Sequence, residues 1–386
     1  MGKKKKIAVV IPKLGLVGGA ENFASELTTR IAADPRYEVH VFANRWGEWA
    51  PGITFHHVPI VRFPRSLTTP SFAWFANRAI RRDRFDLVHT HDRIFEADLF
   101  TMHGIPHRLW VRDVRKKRMS LFDRSTRWVE GKLVANPRCR RFLAVSTITK
   151  EKFIGEFGVE DGRVLVLPPG TDVGRFARRN REGCRAELRR SLGLDPATQI
   201  LLFVSMNFEV KGLDYVMRGL AHLKSATGQP VPLLFIVGRG NEVQYRRLAE
   251  ELEIGPNVRF SGVTGRENLD AFYLGSDFFA MLSRFDTFGM AALDAMAASL
   301  PVVLSGNVGA KDLVREGVNG FVVGDPADEA AVAGRFARLL DAGLRQRMGQ
   351  EAFRTACGHS WDEVARRQIE IYEELLGSVP DHGHAH

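Results

Sequence analysis

Two aspartates eight residues apart, Asp286 and Asp294, are the side chains whose type and spacing best suit an extended polar ligand. The surrounding residues predict a loop at 285–287, a helix at 288–298 and a strand at 301–304. Because an α-helix turns about 100° and rises about 1.5 Å per residue, the second carboxylate would return to nearly the same face about 12 Å further along. N–H groups at 289–291 would lie between the acids, where a helix N-terminus favours phosphate. A sugar on one acid, a diphosphate at the helix start and a ribose on the other acid describe a sugar nucleotide. The alternative is an amphipathic helix with both acids in solvent.

The stretch from Ser283 to Val303, SRFDTFGMAALDAMAASLPVV, resembles the E-x7-E signature of the retaining glycosyltransferases of family 4. The usual form is E-P-F-G-x-x-x-x-E-A-x-A-x-G-x-P-V-V, so aspartate replaces both glutamates here and Thr287 replaces the proline. The resemblance implies an α/β fold of two facing Rossmann-like domains, the GT-B fold, with a C-terminal helix that crosses back to the first domain. It also implies that Asp286 binds the hydroxyls of a transferred sugar and Asp294 the ribose of its nucleotide.

Three further positions suit phosphate. Gly18 and Gly19 stand at a predicted strand-to-helix turn, where glycine lets the backbone approach a ligand closely. Lys211-Gly212 opens a predicted helix and resembles the end of the family pattern G-R-x-x-x-x-K-G, so Lys211 is expected on the diphosphate. The arginine of that pattern is missing, and Arg239, at the end of the next strand, is its candidate substitute. A solvated lysine and an ordinary glycine turn are the alternatives.

Histidines end two neighbouring predicted strands, His89 and His91 on one and His103 on the next. Ligands of open α/β sheets bind outside the carboxyl ends of the strands. His103-Gly104 resembles the strand-end H-G of the family, whose histidine faces the sugar, so His103 is the expected catalytic histidine.

The predicted site combines catalytic residues with nucleotide-sugar contacts. The catalytic set is His103, Asp286 and Lys211. The predicted contacts to the donor are Gly18, Gly19, Lys211, Arg239, Val263, Asp286, Phe288, Gly289, Met290 and Asp294. No D-x-D triplet and no metal-ligand spacing occur in the sequence, so neither a metal nor another cofactor is expected beside the nucleotide-sugar substrate.

The segment 108–141 carries twelve basic residues against three acidic ones, in a chain of formal charge +10. Trp110 and Trp128 are interleaved with these charges. Such a mixture suits an anionic membrane surface or a phosphorylated, lipid-linked acceptor. Nucleic acid is the rival partner, but no nucleic-acid-binding motif accompanies the segment, and a plain solvated helix is the alternative without a function. With this segment and the junction Leu167-Pro-Pro-Gly170, the chain most resembles the lipopolysaccharide core glucosyltransferases.

A chain of 386 residues is long enough for two domains. We predict an acceptor-side domain at 1–170, a nucleotide-sugar domain at 171–360, a crossing helix at 361–377 and a disordered tail at 378–386. Apolar runs alternate with helical stretches, which indicates parallel sheets. The predicted strands are 7–11, 39–43, 87–91, 99–103, 142–145 and 164–167 in the first domain, and 199–205, 232–238, 258–261, 277–282, 301–304 and 320–323 in the second.

Three scattered cysteines suit a reducing cytoplasm, and the first residues suit a strand with a basic lead-in better than a secretory signal. The resulting hypothesis is a retaining, metal-independent hexosyltransferase on the inner face of the cytoplasmic membrane. It would move a hexose, with glucose from a UDP-sugar favoured, to a lipopolysaccharide-core or other glycolipid acceptor. A sugar-nucleotide epimerase of the same fold and a catalytically weak nucleotide-sugar-binding protein are the alternatives.

Overall fold

A computed structural model describes residues 3–15, 18–47 and 52–377 of the chain. The predicted tail at 378–386 lies outside these residues. The described chain divides into two compact units. The first holds the residues up to Pro169 together with those from Trp361 onward, and the second holds Gly170–Ser360.

The first unit is built on a parallel sheet, whose described strands stand in the order β5-β3-β1-β6-β7-β8-β9. Its central strands are buried on both faces, so they appear in the sequence as continuous apolar runs. A short parallel pair, β2 and β4, lies beside this sheet. The strands are β1 (Lys5–Val10), β2 (Lys13–Leu14), β3 (Tyr37–Ala43), β4 (Arg45–Trp46), β5 (Ile53–His57), β6 (Leu87–Thr90), β7 (Leu99–Met102), β8 (Arg141–Ala144) and β9 (Val164–Val166).

The helices of the first unit are α1 (Gly19–Ala33), α2 (Thr68–Ile80), α3 (His107–Leu109), α4 (Leu121–Ala135), α5 (Thr147–Phe157) and, much later in the chain, Trp361–Gly377. The late helix packs against α1, where Arg30 Nε donates to Asp362 Oδ1 at 2.6 Å and the rings of Phe23 and Trp361 meet at 5.8 Å. The predicted return of the C-terminal helix to the first domain is therefore confirmed.

The second unit holds another parallel sheet, with its described strands in the order β12-β11-β10-β13-β14-β15. These strands are β10 (Ile200–Ser205), β11 (Leu233–Gly238), β12 (Val258–Gly262), β13 (Phe278–Met281), β14 (Val302–Ser305) and β15 (Gly320–Val323). Its helices are α6 (Gly174–Ala177), α7 (Arg181–Ser191), α8 (Leu213–Thr227), α9 (Glu242–Glu251), α10 (Arg266–Gly275), α11 (Met290–Ala297), α12 (Glu329–Arg338) and α13 (Ala342–Cys357), and the late helix of the first unit is α14. The predicted α/β class with two parallel sheets is confirmed.

The two-residue strands β2 and β4 and the longer strand β5 are absent from the predicted set, and one predicted helix start needs correction. Strand β5 was not predicted, because it is an edge strand with half-exposed side chains and so lacks an apolar run. The helix predicted at 288–298 begins instead at Met290, since Gly289 takes a left-handed conformation with φ of 96°. None of the described helices combines the length and apolar character that a membrane crossing demands.

Candidate functional site

The ammonium group of Lys211 and the carboxylate of Asp286 form an ion pair at the carboxyl ends of β10 and β13. Both side chains are largely buried, with 25% and 13% of their surfaces exposed. Gly212, which follows the lysine, has φ of 70° and directly precedes α8. A Cβ at this glycine would lie 2.0 Å from the carbonyl oxygen of Leu282, so only glycine lets the start of α8 approach the end of β13 this closely. The fold thus brings together the two residues predicted to bind the diphosphate and the sugar.

The turn between Asp286 and α11 is held by the loop that follows β14. Asp286 N donates to Asn307 O at 2.9 Å, and Gly309 N donates to Asp286 O at 3.1 Å. Gly289 is enclosed as well, because a Cβ there would lie 2.5 Å from Met281 Cε and 2.9 Å from Val308 Cγ1. Asp286 therefore stands in a loop, as predicted, but α11 begins only four residues after it, at Met290. The helical rotation that was expected to return both acids to one face thus does not apply along the whole eight-residue span. No described side chain caps the start of α11, which begins beside Asp286.

Asp294 faces different partners from those of Asp286. Its Oδ1 accepts a hydrogen bond from Thr171 Oγ1 at 2.8 Å, and its Oδ2 pairs with Arg175 Nη2 at 3.1 Å. Arg175 also pairs with Asp270 at 3.2 Å, and burial raises the pKa of Asp270 above its usual value. A carboxylate has about four acceptor positions, so Asp294 can still accept hydrogen bonds from a ligand. Thr171, Arg175 and Asp270 are not among the predicted site residues, and only the position of Thr171 in the domain junction offered a signal for any of them.

The other residues of the second unit that were predicted to contact the nucleotide sugar differ in their exposure to solvent. Arg239 is exposed, and among the described residues its guanidinium has no hydrogen-bond or ion-pair partner. Val263 is 61% exposed and Met290 is half-buried, whereas the side chain of Phe288 is buried. Phe288 therefore packs in the core and Gly289 is buried as well, whereas Met290 stays partly accessible.

In the first unit, Gly18 directly precedes α1 and Gly19 is its first residue, so both lie at the predicted turn into a helix. The carboxylate of Glu21 folds back over this turn, because a Cβ at Gly18 would lie 2.0 Å from Glu21 Oε2. A ligand at these glycines would meet that carboxylate.

The three strand-end histidines form a cluster in which His89 and His91 are buried and His103 is half-buried. His103 Nε2 shares a hydrogen bond with His91 Nδ1 at 3.0 Å, and His89 hydrogen-bonds Tyr372 Oη and Thr101 Oγ1, both at 2.7 Å. Burial lowers the pKa of His89 and of His103 to about 3 and that of His91 well below its usual value, so all three rings are neutral at neutral pH. The hydroxyl of Tyr372 connects this cluster to α14, a contact that sequence spacing could not reveal.

A cavity of about 170 Å³ adjoins His103 within the first unit. Its polar lining includes His91, Arg93 and Glu130, and Arg93 Nε donates to Glu130 Oε1 at 2.9 Å. The cavity offers a neutral imidazole beside a paired arginine and glutamate, a polar environment that suits hydroxyl groups. Within the described residues, histidine, cysteine, aspartate and glutamate side chains nowhere form a group of three that suits a metal ion.

Comparison with known proteins supports the two-domain organisation. Residues 17–175 match the family described as Glycosyltransferase Family 4, and residues 185–355 match the family described as Glycosyl transferases group 1. The D-inositol 3-phosphate glycosyltransferase of Corynebacterium jeikeium is 30% identical over 316 residues, which cover 78% of this chain and 74% of that protein.

Two solved structures share the fold. The structure of WaaG, a glycosyltransferase involved in lipopolysaccharide biosynthesis, superposes with a TM-score of 0.75 at 19% identity over 95% of this chain and 99% of that one. Anabaena Alr3699/HepE in complex with UDP-glucose superposes with a TM-score of 0.71 at 16% identity over 96% of this chain and 99% of that one.

Proposed function

The chain belongs to the family 4 glycosyltransferases, and on that premise we propose that it transfers a hexose from a nucleoside diphosphate sugar to a lipopolysaccharide-core or other glycolipid acceptor, with retention of the anomeric configuration and without a metal ion. The observation that carries the proposal is the contact between Lys211 and Asp286 beside the start of α11. It places a cation, a carboxylate and a helix N-terminus together, the groups that a diphosphate and sugar hydroxyls require.

Donor binding would separate the ion pair. In the free protein Lys211 and Asp286 neutralise each other, and an arriving diphosphate would take the ammonium while Asp286 turns to the sugar hydroxyls. Asp294, oriented by Thr171 and Arg175, would accept hydrogen bonds from the ribose. The UDP-glucose complex of the related fold in HepE supports a UDP-linked glucose as the donor.

In the transfer step, an acceptor hydroxyl oxygen would bond to the anomeric carbon while the bond from that carbon to the diphosphate oxygen breaks. The departing diphosphate would take the hydroxyl proton on the face of attack, which retains the configuration. Lys211 and the N–H groups at the start of α11 would stabilise the negative charge that develops on the diphosphate. His103, held neutral by burial, would hydrogen-bond the sugar.

The acceptor has two candidates. The basic segment favours a lipid-linked acceptor at a membrane, whereas the relative at 30% identity is named for D-inositol 3-phosphate, which makes a cyclitol phosphate the second candidate. The family assignment gives no support to an epimerase. A wild-type protein that binds UDP but shows no turnover would instead indicate a catalytically weak nucleotide-sugar-binding protein.

The basic segment supports docking on the anionic inner face of the cytoplasmic membrane. Several of its cations are engaged within the unit, as when Arg115 pairs with Asp123 at 3.2 Å and Arg138 with Asp98 at 3.2 Å. Helix α4 presents exposed Arg124, Arg127 and Lys132. Each such cation near an anionic surface contributes about 1 kcal/mol.

Helix α2 extends this surface beyond the predicted segment. It packs against α4, because Thr69 Oγ1 shares a hydrogen bond with Thr126 Oγ1 at 3.0 Å, and Arg65, just before α2, stacks on the Phe122 ring at 4.9 Å. Exposed apolar side chains project around both helices, with Phe63 89% exposed, Leu121 73% and Trp74 and Trp128 each 52%. These side chains are positioned to insert among lipids while the cations bind headgroups.

Nucleotide release tests the transfer reaction. The purified protein is incubated with UDP-glucose, UDP-galactose, GDP-mannose or ADP-heptose, together with extracted lipopolysaccharide core or D-inositol 3-phosphate. We expect release that depends on the acceptor, persists in EDTA and disappears in Asp286→Ala, and NMR of the product gives its anomeric configuration. No transfer with any pair would refute the reaction, and release that occurs equally without an acceptor would leave hydrolysis or epimerisation.

Vesicle sedimentation tests the membrane proposal separately. Replacement of Arg124, Arg127 and Lys132 by Ser should release the protein from anionic vesicles. The matched control replaces Arg190, Arg246 and Arg354, exposed arginines of the second unit, and should not. Leu121→Ser should weaken binding that survives high salt, whereas Val243→Ser, at a site 78% exposed in the second unit, should leave it unchanged. Equal binding to neutral and anionic vesicles would contradict the proposal.

A further inference from the structure

Arginines gather around the buried carboxylate of Asp277 at the amino-terminal edge of the second sheet. Asp277 directly precedes β13, and its side chain is 2% exposed. Its Oδ1 accepts from Arg185 Nη1 at 2.7 Å, and its Oδ2 accepts from Arg189 Nη2 at 2.7 Å and from Ile200 N at 2.8 Å. Arg345 Nε lies 3.7 Å from Oδ1. The carboxylate thus accepts three hydrogen bonds and is shared among several arginines, so it neutralises them only in part.

Arg181 adds a further cation to this group without a counter-ion. It is half-buried at the start of α7, its guanidinium donates to the carbonyl oxygen of Ala298, and it makes no ion pair with any acidic residue in the described part of the chain. Burial, and then the charge of Arg185, lower the pKa of Arg181 below its usual value, and the nearby charge of Asp277 offsets only part of this effect. A guanidinium that loses water without gaining an anion is unfavourable, so this site has an unmet requirement for negative charge.

The guanidinium groups border an open cavity of about 480 Å³. Binding sites for small molecules are typically about 300–1,000 Å³, so the cavity has the size for one. Most of the residues that line it carry polar or charged side chains, and the full lining is Arg181, Glu182, Arg185, Asp277, Ser299, Ala342, Arg345, Gln346, Gly349 and Gln350. Glu182 is exposed at the rim, and the other acid, Asp277, already has its hydrogen bonds.

We propose that this cavity binds a phosphate-bearing anion. The planar fork of a guanidinium matches phosphate oxygens in pairs, and two or three such groups around one cavity are the recognised chemistry for that group. The amides of Gln346 and Gln350 and the hydroxyl of Ser299 supply neutral donors and acceptors for an attached sugar. A hexose phosphate and inorganic phosphate share the required chemistry, and the experiment separates them.

The cavity is distinct from the proposed nucleotide-sugar site, which is called the donor site below. Lys211 and Asp286 follow the carboxyl ends of β10 and β13, whereas the cavity lies where these two strands begin. Through Ala298 it also contacts the far end of α11, the helix whose start faces Asp286. The proposal does not rest on the proposed transferase reaction, since it concerns groups outside that site.

Thermal unfolding of the whole chain tests the proposal, with inorganic phosphate, glucose 6-phosphate or sodium chloride added at equal ionic strength. Phosphate compounds should raise the Tm of the wild type above its value in chloride. Arg181→Gln should weaken this stabilisation at least tenfold in the concentration required. Arg190→Gln serves as the matched control, because it removes an exposed arginine from the same helix, and it should behave as the wild type does.

The donor site also attracts phosphate, so Lys211→Met is examined alongside. Stabilisation that survives Lys211→Met and disappears in Arg181→Gln supports the proposal. Stabilisation that disappears in Lys211→Met and survives in Arg181→Gln places the anion at the donor site and overturns it, as does an equal Tm in phosphate and chloride. Gln346→Glu gives an independent check, since an added carboxylate should block phosphate binding without removing an arginine. Tighter binding of glucose 6-phosphate than of phosphate would assign the sugar phosphate, and equal binding would assign the inorganic ion.

Discussion

Replacement of Gly212 by Ala should disturb both the stability of the second unit and its proposed diphosphate site. Gly212 precedes α8 with φ of 70°, and a Cβ there would lie 2.0 Å from Leu282 O. Real Cβ atoms do not approach closer than 3.0 Å, so the helix start or the carbonyl must move by at least the difference. Lys211 is the adjacent residue, so its ammonium group would move relative to Asp286.

Gly228 offers a matched control at the other end of the same helix. Its φ is 61°, but a Cβ there would meet no atom within 4 Å. In both variants the alanine must adopt the left-handed conformation, which destabilises the folded state by about 1–2 kcal/mol. The lower conformational entropy of the unfolded chain offsets about 0.4–1 kcal/mol of this cost. Only Gly212→Ala adds overpacking, which costs about 1–3 kcal/mol. We therefore expect Gly212→Ala to be less stable than Gly228→Ala by about 1–3 kcal/mol, the overpacking contribution alone.

Urea unfolding measures the difference in stability, and isothermal titration with UDP measures the effect on the site. A charge-assisted hydrogen bond contributes about 1.5–3 kcal/mol, so a displaced Lys211 should weaken UDP binding at least about tenfold in Gly212→Ala and leave it unchanged in Gly228→Ala. Equal unfolding free energies in the two variants would refute the crowding argument. Normal UDP affinity in Gly212→Ala would refute the link from this glycine to the site.

Other residues give further tests. Lys211→Met should weaken UDP binding in titration by about tenfold or more, and Arg239→Met, which disturbs no described ion pair, should weaken it less if the diphosphate lies at Lys211. Tyr372→Phe should reduce the unfolding free energy by about 1–3 kcal/mol because it leaves buried His89 Nδ1 without its partner, whereas Tyr215→Phe should change it little. Burial lowers the pKa of His89 from 6.5 to about 3, so the unfolded chain takes up this proton first as the pH falls. The contribution of the neutral His89 ring to the unfolding free energy should therefore be fully present above pH 6.5. It should decline towards pH 3 by about 1.4 kcal/mol per pH unit. His89→Gln should flatten that decline in urea unfolding at pH 7, 6 and 5, and an unchanged slope would contradict it.

The sequence by itself determined the two parallel sheets and the types of residue at the site. Buried parallel strands require continuous apolar runs, and these runs are visible without a structure. The pair Lys211-Gly212 and the aspartates at 286 and 294 were recognisable from local spacing. Strand β5 escaped because half-exposed edge residues carry no such run.

The tertiary structure alone decided which of these residues meet. Lys211 and Asp286 are 75 residues apart, Thr171 and Asp294 are 123 apart, and His89 and Tyr372 are 283 apart. Periodicity reports only the neighbours along one element, whereas these contacts depend on which strand ends and helices pack side by side. The late start of α11 has the same origin, since the crowding around Gly289 comes from Met281 and Val308 on other segments. The arginines around Asp277 likewise come from two helices far apart in the chain, α7 and α13, so their shared cavity exists only in the folded chain.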